Sequence, residues 1–208
     1  MLTADYADLR RLFGETGTAA LGSVKSSAGH RRRFTSERLW WRMTTKSDWA
    51  QRIADLWAAF DEHEPTDFLA KVRAMVAELP RGDANGLFEL ASAHDSIGEE
   101  ESAASFYRQA LAAGLAGPLR RRAVIQLAST LRNLGQAEES VALLTAERKA
   151  GTDELDDAVA AFLALALVDT GKEREAVALA LGALSRHLPR YTRSLANYAK
   201  ALSGAGEI

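Results

Sequence analysis

Side chains that could carry out catalysis are present in this sequence but are not grouped. The four histidines lie in four separate regions, at His30, His63, His94 and His187. A histidine and carboxylate metal site needs its ligands closer together than this. The chain has no cysteine, which excludes thiolate nucleophiles and cysteine-bound metals. Because neither a glycine-rich phosphate loop nor a nucleophile elbow is present, we predict a protein that is not an enzyme and uses no metal or cofactor.

Arginine clusters are the other group that could do chemistry, by binding phosphate. Arg120, Arg121 and Arg122 are consecutive, and Arg132 and Arg193 follow further on. Nucleic-acid binding requires a continuous basic surface, whereas these clusters lie among many acids and the chain has a net charge of -2. Aromatic side chains that could stack on bases are not interleaved with them. We therefore disfavour nucleic acid as a partner. We also expect no membrane partner, because no apolar run approaches the roughly 18 residues that span a bilayer.

The elements that must position any binding residues repeat three times. Helix-like stretches at residues 87–98, 124–135 and 160–171 each end in a glycine, and a second amphipathic helix follows each of them. The three closing glycines are 37 and 36 residues apart. A helix–turn–helix unit of this period is typical of an α-solenoid, whose stacked units usually hold another molecule.

Helical periodicity covers residues 47–208 and predicts about nine helices. We expect an N-terminal helix pair at 47–80, three repeats at 84–115, 118–151 and 153–188, and a capping helix at 190–203. An irregular helical bundle that uses the same apolar stripes is the alternative.

The spacing inside the three units resembles the tetratricopeptide repeat. That family's pattern has a large residue, Leu-Gly three positions on, then Tyr, Gly, Ala, an aromatic residue and Ala. The first unit matches well, with Leu87, Leu90-Ala91, His94, Gly98, Ala103, Tyr107 and Ala110. The second is weaker, with Val124, Leu127-Ala128, Leu131, Gly135, Ser140, Leu144 and Glu147, and the third has mostly small residues, with Ala160, Leu163-Ala164, Leu167, Gly171, Ala176, Ala180 and Ala183. The resemblance covers about residues 84–188 and implies an all-α, right-handed α–α superhelix.

The resemblance also implies a concave groove, lined by the first helix of each pair, that binds a peptide or protein. The family's groove positions correspond to Asn85, Phe88, Ser92 and Asp95 in the first unit, to Arg122, Gln126, Ser129, Arg132 and Asn133 in the second, and to Phe162 in the third. Some members grip a terminal carboxylate with Lys, Asn and Arg at these positions, but here only the second unit has the matching combination, with Arg122, Arg132 and Asn133. We therefore expect a groove that is polar at one end and apolar at the other.

Two alternatives to this groove stay open. Arg122 and Arg132 could be solvated surface cations. The apolar third unit, with Val159, Ala161, Phe162, Leu165 and Val168 at its groove positions, could be covered by the last helix or form a dimer contact.

The first 42 residues differ from the rest of the chain. They hold eight Arg or Lys and four acids, so this segment carries +4 and the remainder -6. We interpret residues 1–42 as a flexible basic leader. Because Met43 is followed by a polar stretch and a helix cap, an alternative hypothesis is that translation starts at Met43 and the leader is not part of the native protein.

Together these features predict a non-catalytic protein- or peptide-binding scaffold of the bacterial cytoplasm, a compartment with which the lack of cysteine agrees. Two other functions remain possible from the sequence. One is a self-associating structural module that forms a homodimer. The other is a regulatory domain that acts with a separate effector or nucleic-acid-binding chain.

Overall fold

A computed structural model describes residues 48–204 of the protein. Every regular element within that span is a helix, which confirms the predicted all-α class. The basic leader at 1–42 and the hypothesis of a start at Met43 lie outside the described residues. The chain divides into two compact units between Glu78 and Leu79, and each is described separately.

The first unit is a helix pair closed by aromatic rings. It contains α1 (residues 48–58), a short 3-10 helix (Phe60–Glu62) and α2 (Pro65–Val76). The rings of Trp57 and Phe60 each lie 4.8 Å from that of Phe68, in edge-to-face contact. Trp49 is buried and its Nε1 donates a hydrogen bond to the carbonyl oxygen of Met75 at 2.8 Å. The apolar face of α1 is therefore used for packing within the pair.

The second unit consists of seven helices in three pairs plus one. They are α3 (Ala84–Ser96), α4 (Glu100–Ala112), α5 (Gly117–Asn133), α6 (Ala137–Ala150), α7 (Asp156–Asp169), α8 (Glu173–Ser185) and α9 (Thr192–Leu202). Each helix packs against the next one along the chain, and the first helices of successive pairs also touch, α3 against α5 and α5 against α7. This pattern is that of an α-solenoid.

Glycine closes the first helix of all three pairs of the second unit in the same way. Gly98, Gly135 and Gly171 have φ angles of 79°, 74° and 73°, a left-handed conformation that glycine adopts without steric cost. The residue after each glycine donates its N–H to the carbonyl oxygen five positions back, which satisfies part of the helix end. These bonds are Glu99 N to His94 O (2.9 Å), Gln136 N to Leu131 O (2.8 Å) and Lys172 N to Leu167 O (2.9 Å).

Side-chain contacts show that the first helices run parallel to one another. A contact near the start and another near the end join each neighbouring pair of first helices. These contacts are Phe88–Arg122 and Asp95–Thr130 between α3 and α5, and Arg121–Asp156 and Arg132–Asp169 between α5 and α7. The start of each first helix contacts the start of the next one, and the ends contact each other likewise. One repeat therefore lies beside the next with little shift along the helix axis.

The core of the second unit combines a few large side chains with many alanines. Phe88, Tyr107 and Leu131 are fully buried in one cluster. Buried small residues surround them and bring helix backbones close together, at Ala91, Ala103, Ala110 and Ala128. The small positions that match the repeat pattern are therefore packing positions.

Candidate functional site

All ten residues predicted to line a groove lie on first helices of the second unit. Those on α3 are Asn85, Phe88, Ser92 and Asp95; those on α5 are Arg122, Gln126, Ser129, Arg132 and Asn133; Phe162 is on α7. The parallel arrangement of these helices brings the three groups onto adjacent elements.

Part of this set, on α3 and α5, is buried. Phe88 and Ser92 have 0% of their surface exposed and Gln126 has 8%, so these side chains present almost no surface to a ligand. The Gln126 Oε1 atom is buried and has no hydrogen-bond partner among residues 48–204. Arg122 is half-buried, and its guanidinium carbon lies 5.6 Å from the centre of the Phe88 ring. This cation–π contact covers the aromatic ring.

Asp95 is partly buried and lies where α3, α4 and α5 meet. Tyr107 Oη donates to its Oδ2 at 3.2 Å, and Thr130 Oγ1 lies 3.1 Å from its Oδ1. Burial raises the pKa of Asp95 to about 6, against the lowering effect of these two hydrogen bonds and with a smaller contribution from Glu100.

The hydrogen bonds of Thr130 agree with a protonated Asp95. The Thr130 hydroxyl also lies 2.8 Å from the carbonyl oxygen of Gln126, and it has one proton to donate. If Asp95 is protonated, its carboxylic acid donates to Thr130 Oγ1, and the Thr130 proton goes to Gln126 O. In this protonated form, which predominates below about pH 6, every oxygen atom that takes part in these hydrogen bonds has a partner, so Asp95 then contributes to packing.

The accessible part of the predicted set lies along α5 and α7. Asn133 is exposed, while Ser129, Arg132 and Phe162 are half-buried. Arg132 forms an ion pair with Asp169 at the ends of the two helices. Arg132 is therefore a paired cation rather than a free one.

The side of α7 that faces away from the core is apolar and is exposed to solvent. Leu165 and Val168 are both exposed although they are large hydrophobic side chains. The last helix, α9, packs against α8 and leaves these two side chains accessible.

The arginine triplet of α5 is engaged within the protein. Arg120 Nη1 donates to both carboxylate oxygens of Glu147 at 2.8 Å. Arg121 is buried and binds Asp153 through Nη1 at 2.8 Å and Asp156 through Nη2 at 2.7 Å. Two of the three guanidinium groups thus join α5 to α6 and α7, which leaves them unavailable to phosphate.

A cleft that the sequence did not reveal lies at α8 and α9. It measures about 970 Å³ and is lined partly by Arg148, Arg193 and Lys200. None of the ten predicted groove residues lines it. The three cations are far apart in the sequence, so no local motif indicates that they share a cleft.

Two further features of the described chain bear on its chemistry. No group of three or more His, Asp or Glu side chains within residues 48–204 is arranged to hold a metal ion. No helix in this span is both long enough and apolar enough to cross a membrane.

Comparison with known proteins relates the second unit to a protein family. No curated protein and no solved structure matches the chain. Residues 84–202, which run from the start of α3 to the end of α9, match the family described as tetratrico peptide repeat. The match covers more than half of the chain and coincides with the stacked helices of the second unit. This protein therefore belongs to the tetratricopeptide repeat family.

Proposed function

We propose that this protein is a non-catalytic scaffold that binds a peptide or protein segment on the face formed by α3, α5 and α7. Membership of the tetratricopeptide repeat family supports a protein-interaction role in general. The proposed contact surface comprises the accessible members of the predicted set, together with the exposed apolar side chains of α7. Those members are Asn85, Arg122, Ser129, Arg132, Asn133 and Phe162.

The uncovered apolar side of α7 is the observation that carries this proposal. α7 is hydrophobic on all sides, and its inner side packs into the unit through buried residues such as Val159, Leu163 and Leu167. Leu165 and Val168 point away from that core, with 45% and 48% of their surfaces exposed. Grouped exposed hydrophobic side chains beside polar ones are typical of a protein interaction site.

Polar groups on α5 border this apolar side. The Arg132–Asp169 ion pair brings the end of α5 next to the end of α7. Ser129 lies about one turn before Arg132 on α5, and Leu165 lies one turn before Asp169 on α7. A bound segment would thus meet apolar anchors on one helix and hydrogen-bonding groups on the other, a combination that gives both affinity and orientation.

A matched pair of double variants tests the proposal. Leu165→Ser with Val168→Ser should abolish capture of partners from a lysate of the native host. Val177→Ser with Leu184→Ser changes two residues of α8 that are exposed to the same degree, 47% and 48%. This control should retain the partners. Quantitative mass spectrometry of the captured proteins compares the two variants with wild type.

The outcome that would contradict the proposal is equally specific. If every protein captured by wild type is also captured by the α7 variant, or if both variants lose the same proteins, the α7 side is not the binding surface. Circular dichroism should confirm that both variants keep their helix content, since all four side chains are exposed.

Self-association is a second candidate, favoured by exposed aromatic residues at the end of the chain. Tyr191, just before α9, and Tyr198, on α9, are both largely exposed, and the helix is strongly amphipathic. A homodimer would cover them. Sedimentation velocity at micromolar concentrations tests this candidate, because a single monomeric species would exclude it.

We further propose a cytoplasmic location. The absence of cysteine from the sequence supports it, because disulfides stabilise many proteins of oxidising compartments. Fractionation of the native host with an antibody to the protein provides the test.

A further inference from the structure

The cleft at α8 and α9 has a volume and a lining suited to a bound peptide segment. Its volume of about 970 Å³ lies near the upper end of the range for ligand pockets, about 300–1,000 Å³. Much of its lining is small, with Ala178 and Gly182 on α8 and Ala196 and Ala199 on α9. Small side chains leave room for a ligand backbone to approach both helices.

Three cations that have no partner among residues 48–204 surround this cleft. Arg148 at the end of α6 and Arg193 and Lys200 on α9 are exposed. None of them forms a hydrogen bond through its side chain or an ion pair with another residue of the span 48–204.

The other charged groups of the cleft are mostly neutralised. Asp156 accepts a hydrogen bond from Arg121 at 2.7 Å, and Arg186 is paired with Asp157. Glu175 is the remaining carboxylate of the lining. The cleft therefore carries an excess of unpaired positive charge, although residues 43–208 have a net charge of -6.

From this charge and geometry we propose that the cleft binds an acidic peptide segment of a partner protein. Arg193 and Lys200 are seven residues apart on one helix, which separates them by about 10 Å along its axis. This spacing suits an acidic segment in a polyproline II conformation, where side chains three residues apart lie on the same side and are separated by about 9 Å.

The uncharged lining also favours a peptide over a nucleic acid. Thr152 and Asn197 can form hydrogen bonds with a peptide backbone, and the lining contains no aromatic residue on which a base could stack. This site is separate from the α3–α5–α7 face of the proposed function.

Fluorescence anisotropy with two labelled peptides tests the inference on the full chain. The acidic probe has Glu at every third position among Ala and Ser, and the matched probe has Gln in place of Glu. The acidic probe should bind, with an affinity that falls as salt is raised, and the Gln probe should not. The triple variant Arg148→Ala, Arg193→Ala, Lys200→Ala should bind the acidic probe about tenfold more weakly, since three exposed ion pairs are lost together.

A charge-matched variant separates the cleft from general electrostatics. Arg81→Ala, Lys149→Ala, Lys172→Ala removes three exposed cations that do not line the cleft, and it should bind the acidic probe as wild type does. The Leu165→Ser, Val168→Ser variant should also bind it normally, so the two proposed sites can fail independently.

Three results would overturn the inference. The first is that the acidic probe does not bind at concentrations up to about 1 mM. The second is that the two triple variants lose affinity for the probe equally. The third is that inorganic phosphate displaces the probe at the same concentration as unlabelled acidic peptide does. The last result would mean that the cleft recognises a point anion.

Discussion

Two regions of the second unit are built from the same helix pairs but differ in how far their side chains are buried. One is the junction of α3, α4 and α5, and the other is the C-terminal end at α7, α8 and α9. At the junction Phe88, Tyr107 and Leu131 are completely buried. At the end, Ala199 is the one buried residue of α9 and Tyr198 is largely exposed. The repeat plan can thus serve stability in one region and leave side chains free for binding in another.

The largest expected difference concerns the two regions' contributions to stability. Phe88→Ala should lower the free energy of unfolding by about 3–5 kcal/mol, because it leaves a cavity in a closed core. Leu165→Ala should lower it by less than about 1 kcal/mol, because the side chain is already half in water. Urea unfolding monitored by circular dichroism measures both. Similar losses for the two variants would show that Leu165 packs as closely as Phe88 does, contrary to its exposure.

The next effect is specific to the junction and depends on pH. The pKa of Asp95 is raised to about 6 in the folded protein, above the usual value of about 3.9 in an unfolded chain. The folded state therefore holds the proton more tightly. The stability that the protonated residue contributes is complete below pH 4 and is lost as the pH rises through 6.

Asp95→Asn should remove this dependence while keeping the hydrogen bonds of the protonated acid. The amide can donate to Thr130 and accept from Tyr107, as the carboxylic acid does. At pH 7.5 the variant should be more stable than wild type by about 2–3 kcal/mol, and at pH 4 the difference should nearly vanish. Unfolding by urea at a series of pH values gives this difference. An advantage that is the same at every pH would contradict the assignment of the titration to Asp95.

A smaller effect concerns one glycine in each region, where replacement by alanine should change the stability in opposite directions. Gly135→Ala should destabilise the protein by about 1 kcal/mol, since the turn after α5 needs a left-handed residue. Gly182→Ala should stabilise it by about 0.5–1 kcal/mol, because Gly182 lies inside α8. An added Cβ meets no atom within 4 Å at either site, so the backbone decides both signs. Thermal unfolding of the two variants is the measurement, and shifts of equal sign would refute this explanation.

The smallest effect concerns the entry to α9. Tyr191 has a φ of 67°, the single positive value among the non-glycine residues 48–204. Tyr191→Asn should stabilise the protein by about 0.5 kcal/mol, because asparagine tolerates this conformation better and the exposed ring makes little packing contact. A clear decrease in the midpoint of thermal unfolding would show that the ring has a packing role.

Residue patterns predicted the repeat architecture because its signals are local. Gly98, Gly135 and Gly171 mark turns that depend on backbone conformation within a few residues, and the alanines at 91, 103, 110 and 128 mark close packing. These features need no knowledge of how distant helices are placed.

The surface of the candidate site could not be predicted to the same extent. Periodicity shows which residues share a helix face, but it does not show which neighbouring helix covers that face. Phe88 and Ser92 fit the groove positions of the family, yet both are fully buried, and Arg122 of α5 lies over the Phe88 ring. Leu165 and Val168 could have been covered by α9, but α9 packs on α8 instead. The cleft at Arg148, Arg193 and Lys200 depends entirely on that placement of α9.

Site-specific photocrosslinking in the native host tests the central claim most directly. A photoreactive phenylalanine derivative at position 165 of α7 should form crosslinks to a different protein, whereas the same group at position 177 of α8, where exposure is nearly equal, should not. Mass spectrometry of the product at position 165 would identify the partner. Crosslinks of equal yield from both positions, or none from position 165, would contradict the claim that the uncovered side of α7 is the binding surface.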